Sequence, residues 1–168
     1  MMAKRITKLA AVACMAVLVL ALSGCFGQPS QANDPNRQYR TYMSQVNQIM
    51  VEFEEGLASF NEAVSRNDVV NMGNQLDQAL KSLDKLETLE APSSMANVHK
   101  DYVDAAGKLE TALRDYVDVY TEIDAAVKAE KADWSDYKDR IATIQERYDE
   151  GVKALEEADA AAAKAGTF

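Results

Sequence analysis

The sequence predicts an all-α protein: an elongated antiparallel, up-down-up-down four-helix bundle that follows a signal peptide and a flexible tether. Three observations predict it. Apolar residues recur at alternating spacings of three and four along four successive stretches, a helical period and not the alternation by two of a strand. The breaks between stretches are only a few residues long, so consecutive helices must run antiparallel. With 7 glycines and 3 prolines in 168 residues, the chain has too few turn formers for an all-β fold or a Pro/Gly-rich disordered one.

Ahead of the bundle, Lys4, Arg5 and Lys8 precede an uninterrupted run of apolar and small residues from Leu9 to Leu22. A run of about 14 residues is short for a bilayer span and suits the h-region of a signal peptide. It closes on Leu22-Ser23-Gly24-Cys25. This tetrapeptide resembles the lipobox of bacterial lipoproteins, whose pattern is Leu, a small residue, Gly or Ala, then Cys. The resemblance implies a diacylglycerol on the Cys25 thiol and signal cleavage after Gly24. It makes residues 1–24 a lipoprotein signal peptide, with lipidated Cys25 as the new N-terminus. Two acyl chains give stable membrane attachment at about 0.8 kcal/mol per buried methylene. An uncleaved N-terminal anchor with Cys25 incidental is the bland alternative, and it too holds the chain at a membrane.

Cysteine usage agrees. Cys14 lies in the h-region and leaves with it, and Cys25 is acylated, so no thiol remains for a disulfide, a zinc site or a nucleophile. Cleavage removes three cations and no acid, moving the net charge from −9 to −12. An acidic chain with a pI near 4.6 is a poor nucleic-acid binder and is not drawn to anionic headgroups. The lipid on Cys25 must therefore hold it at the membrane, on the extracytoplasmic face, and an envelope protein with a basic or neutral surface is the expected partner.

Residues 25–37, from the lipidated Cys through Arg37, lack apolar periodicity and contain Pro29 and Pro35, so they read as the tether. The bundle is expected over 38–165. Its first helix, about 38–66, follows the seam Met43, Val46, Met50, Phe53, Leu57, Phe60 and Val64. Asn67-Asp68 breaks it and caps the second, about 68–90, with Val69, Met72, Leu76, Leu80, Leu83, Leu86 and Leu89. Pro92 ends that helix, and Ser93 or Ser94 can cap the third, about 94–131, which runs from Met95 and Val98 to Ile123 and Val127. The phase resets at Lys131-Ala132-Asp133, where Asp133 and Asp136 suit the start of a fourth helix, about 133–164, on Trp134, Tyr137, Ile141, Ile144, Tyr148, Val152, Leu155 and Ala158. Without that reset, one very long helix would replace the last pair.

Motifs for chemistry are sparse. A ferritin-like di-iron site needs two Glu-x-x-His motifs, and the chain has one histidine, His99. A c-type haem needs Cys-x-x-Cys-His, which is absent. A haem or metal bundle through His99 with Met43, Met50, Met72 or Met95 stays open, against a plainer solvent-edge histidine between Val98 and Lys100. Asp133, Asp136 and Asp139 recur by three along one face, whereas calcium loops alternate ligands by two and include a Gly. Glu52, Glu54 and Glu55 would do acid/base work only in a cleft, and Glu54 is expected to be exposed. No G-x-S-x-G elbow occurs. No catalytic residue, metal or cofactor is expected, and the chain reads as a non-enzyme.

One feature suggests a ligand. Tyr102, Tyr116, Tyr120, Tyr137 and Tyr148, with Trp134, fall on or beside the third and fourth seams. Helical spacing accounts for them as core, with rings buried and hydroxyls at the edge. The alternative is a small-ligand carrier or sensor using a tyrosine-lined interior between helices 3 and 4. Separately, Leu86–Tyr102, LETLEAPSSMANVHKDY, is similar to a turn in small helical bacterial lipoproteins of unassigned function, in which a Leu-rich helix ends at Ala-Pro and the next carries a His. That likeness supports a helical hairpin and implies no activity. The expectation is a membrane-anchored, non-catalytic binding or structural module.

Overall fold

A computed structural model describes residues 34–131 and 134–166, apart from the side chain of Asp136. Four helices follow in order: α1 Pro35–Ser65, α2 Val69–Thr88, α3 Ala96–Lys128 and α4 Trp134–Ala165, with a 3-10 turn Ser93–Met95 leading into α3. The fold is an all-α four-helix bundle, with no strand among the described residues. None of the described helices is long and apolar enough to cross a membrane. The signal peptide, Gly24, Cys25 and residues 26–33 lie outside the described residues, as does Asp133.

Local chemistry explains where the helices begin and end. α1 starts three residues inside the stretch read as tether, because Asp34 and Pro35 form a start signal and not a linker. The Asp34 carboxylate accepts from the Asn36 N–H at 3.0 Å, and Pro35 occupies the first helical position, where its missing N–H costs nothing. α1 ends with Asn67 in the left-handed region at φ 55°. Asp68 N–H reaches back to the Ala63 carbonyl and Asn67 N–H to that of Val64, both at 3.1 Å, a Schellman closure. Asp68 then caps α2 by accepting from the Asn71 N–H.

α2 stops at Thr88, two residues early, with Leu89 extended ahead of Pro92. Neither Ser93 nor Ser94 caps α3, contrary to the expectation. They form the 3-10 turn, in which Met95 N–H bonds to the Pro92 carbonyl at 2.8 Å. The last pair is two helices and not one: α3 closes on a second Schellman turn with Glu130 at φ 55° and Lys131 N–H on the Ala126 carbonyl at 2.9 Å.

The core follows the seams with one systematic shift. Val46, Phe53 and Phe60 of the α1 seam are buried, but Met43, Met50 and Val64 are half-buried while Tyr42, Ile49 and Ala63 take the interior. In a bundle the inward stripe is three positions wide per heptad, and the three-and-four rule had picked one of its edges. On α2 the expected Met72, Leu76, Leu80, Leu83 and Leu86 are buried, joined by Ala79 and Ser82. The seams of α3 and α4 run out toward their shared turn: Val127 is 50% and Trp134 44% exposed.

Within each antiparallel pair, a glycine lets two helices touch. A Cβ on Gly56 of α1 would sit 2.6 Å from the Ala79 Cα of α2, and one on Gly151 of α4 would sit 2.8 Å from Leu109 of α3. The bundle is thus two tight hairpins laid against each other. Between them Tyr42 is level with His99, Phe60 with Tyr116, and Asn67 with Tyr120. The α1–α2 turn therefore ends level with the middle of the Tyr116–Ile123 stretch, and the last two turns of α3 rise beyond it together with the first two of α4.

Candidate functional site

The tyrosines are distributed along the bundle as fasteners between helices. Tyr102 is buried on α3 and its hydroxyl donates to Asp159 Oδ1 of α4 at 2.6 Å. Burial first, then that carboxylate, holds the phenol well above its ordinary pKa. Tyr42, buried on α1, lies edge-on to His99 with its Oη 3.1 Å from Nδ1, and burial pushes its pKa up to about 12. Nearby, Tyr39 donates to the Ala162 carbonyl at 3.1 Å, tying α1 to α4. This end, where α1 begins and α4 finishes, is knotted by three phenols.

Further along, Tyr116 packs edge-on against Phe60 at 6.0 Å, and burial raises it to about 12. Tyr120 lies 6.1 Å from Tyr116 and donates to Asn67 Oδ1. Tyr148 and Tyr137 are half-buried on α4, with Tyr148 raised by burial. Of the five tyrosines read as a ligand wall, Tyr116 and Tyr120 are the pair in ring contact among the described residues, and Tyr102 belongs to the knot at the far end. Tyr39 and Tyr42 were missed. Their signal was a spacing of three at the start of the predicted first helix, left out because its apolar seam was read as starting at Met43.

A groove of about 390 Å³ does lie between α3 and α4, but on their charged outer side. Asp115, Asp118, Glu122, Asp139, Arg140 and Arg147 line it, and none of the five tyrosines does. Arg140 grips Glu122 through both guanidinium nitrogens at 2.5 and 3.0 Å, and Arg147 pairs with Asp115. The Arg140 hydrogen bond holds the Glu122 carboxyl below its usual range. These exposed pairs stabilise the α3–α4 register weakly.

The remaining candidates separate. His99 is half-buried, its ring lying edge-on beside Tyr42. No group of three or more His, Cys, Asp or Glu among the described residues could hold a metal ion. Glu52 pairs with Lys85 of α2, and this contact, the largest cause, lowers its carboxyl. Glu55 is exposed, as the expected solvated face requires. Glu54 corrects its assignment: it is half-buried, and its Oε1 is sealed from solvent with no hydrogen-bond partner among the described residues. It faces the seam side of α1, one residue past Phe53, where the wide inward stripe covers it.

No protein-family model matches this chain, and neither a curated protein nor a solved structure matches it.

Proposed function

We propose that this chain is a lipid-anchored lipoprotein of the extracytoplasmic membrane face, whose helical rod serves as a non-catalytic binding or structural module. The observation that carries the reading is the ordered signal at the N-terminus: basic residues, a 14-residue apolar run by count from Leu9 to Leu22, then Leu22-Ser23-Gly24-Cys25. The position of the rod supports it, since Asp34 starts a rigid helix a short way after Cys25. A bundle closed by packing, with surface carboxylates engaged in ion pairs, suits presentation of a surface better than turnover of a substrate. Its acidic balance favours an envelope protein with a basic or neutral face.

The test is mass spectrometry of the N-terminal tryptic peptide from the membrane fraction. The reading expects a peptide beginning at Cys25, ending at Arg37 and carrying diacylglycerol. Cys25→Ser should abolish the modification and the membrane fractionation together. An unmodified Cys25 in an unprocessed chain would reject the proposal.

A further inference from the structure

The two hairpins meet unequally along their two sides. On one side the backbones of α2 and α3 come together, and Arg114 of α3 pairs with Asp77 of α2 at 3.1 Å. There α2 buries Leu76, Ala79, Leu80, Ser82 and Leu83 in a closed stripe. On the other side, among the described residues, the backbones of α1 and α4 do not come together along their length. A tie stands near one end: Tyr39 of α1 donates to the Ala162 carbonyl of α4, and its ring rests on Gly166, where no Cβ would fit. At about 100° per residue, Met50 and Leu57 share the face of α1 that carries Tyr39, and Tyr148 and Val152 share the face of α4 that carries Gly166. All four are half-buried. Glu54 lies on the same side of α1, about 60° beyond Tyr39 and across the helix from Gly56, which faces α2. Its sealed Oε1 has no donor among the described residues. Such an oxygen disfavours the closed arrangement, and water reaching it relieves the cost.

We propose that the bundle opens as a clamshell, hinged along α2–α3 and parting along α1–α4, with Tyr39 as the latch. The topology fits this motion. The chain passes from one hairpin to the other through residues 89–95, between α2 and α3, so the covalent link lies on the hinge side. Each hairpin moves as a unit, because the close approaches of Gly56 to Ala79 and of Gly151 to Leu109 lie within hairpins and are not disturbed. Parting breaks the Tyr39 bond, hydrates Glu54 and uncovers the faces that carry Met50, Leu57, Tyr148 and Val152. The Tyr42–His99 and Phe60–Tyr116 contacts reach from α1 to α3 and part in the same motion, which keeps the open form a minor population.

The test is thiol labelling of the purified chain in phospholipid vesicles, read at each position from the mass of its peptide, so that the state of Cys25 does not enter. Val46→Cys puts a probe at a buried position two turns from Tyr39 on the same face of α1. Ser82→Cys puts a near-isosteric one inside the α1–α2 hairpin, between Ala79 and Lys85, which meet α1 at Gly56 and Glu52. Position 46 should react at least about threefold faster than position 82, since opening uncovers the first and leaves the second covered. Tyr39→Phe removes the latch's hydrogen bond and should speed reaction at 46 about fivefold. Gly166→Ala, which displaces the Tyr39 ring, should act in the same direction. Glu54→Met removes the sealed oxygen and should slow reaction at 46 about threefold. Position 82 should stay within about 1.5-fold in every background. Equal rates at 46 and 82, equal acceleration of both by Tyr39→Phe, or a rate at 46 indifferent to Tyr39→Phe and Glu54→Met would overturn the proposal.

Discussion

The seam inside each hairpin and the seam between the hairpins solve the same packing problem in opposite ways. Inside, a side chain is removed: Gly56 lets α1 rest on Ala79, and Gly151 lets α4 rest on Leu109. Between, the space is filled by large rings and locked by hydroxyls, as at Tyr42–His99, Phe60–Tyr116 and Tyr120–Asn67. Contact through a missing Cβ is close but carries no directional information. Contact through a phenol fixes register, because its hydroxyl must find one acceptor. The hairpins therefore set how tightly the helices lie, and the tyrosines set how far one hairpin slides along the other.

Charging the core that the two seams enclose gives the largest effect. Phe53→Asp puts a carboxylate into a site 1% exposed and should cost more than about 4 kcal/mol in urea unfolding. The exposed neighbour Glu55→Lys should stay within about 0.5 kcal/mol. Equal costs would mean that the helix faces are wrongly assigned. Next comes the intra-hairpin seam. Gly56→Val meets backbone and not a flexible side-chain tip, so it should cost about 3 kcal/mol in the same assay.

Much of this was legible in the sequence. The class, the number of helices and the antiparallel order followed from apolar spacing and short breaks, because burial of a stripe is what makes a helix amphipathic. The glycines were less legible. Gly56 and Gly151 sit inside helices, where glycine is unfavourable by about 1 kcal/mol relative to alanine, and that mismatch was the clue to close approach. It is an ambiguous clue, since Gly73 and Gly107 carry the same mismatch with nothing within 4 Å of a Cβ. Pairing across the hairpins was not legible at all: Tyr42 meets His99 from 57 residues away, and spacing along one chain contains no such distance. The step at the distal end was hidden for the same reason, since it depends on α1 and α2 ending below α3.

A pH titration sharpens the role of the phenols. Tyr42, Tyr102 and Tyr116 are raised by burial, Tyr42 and Tyr116 to about 12. Below pH 10 they are neutral folded or unfolded, and the full stability is present. Above pH 10 the unfolded phenols ionise first, so stability falls until the folded Tyr42 and Tyr116 follow near pH 12, with Tyr102 held higher still. The urea midpoint should drop between pH 9 and 11.5, and absorbance at 295 nm should show these phenols ionising late. Tyr42→Phe with Tyr116→Phe should flatten the drop. A midpoint as steep as in the parent would place the buried titration elsewhere.

The smallest effects run the other way. Gly73→Ala and Gly107→Ala, in open space on helices, should each gain about 0.5–1 kcal/mol, seen as a higher melting temperature. Glu130→Gly should gain a similar amount of about 0.5–1 kcal/mol, by placing glycine where the chain is left-handed. A loss at Gly73 or Gly107 would show that they too are points of approach, and the distinction between the two seams would lose its sharpness.

Asp34 has a consequence for reach. Because helix begins at the next residue, eight residues, 26–33, lie between Cys25 and Asp34, a chain length of at most about 30 Å. The rod behind it is longer, about 50 Å along the 33 residues of α3. With the proposed lipid on Cys25, the distance from a bilayer to the far end of the bundle would be set by the helices and hardly at all by those eight residues.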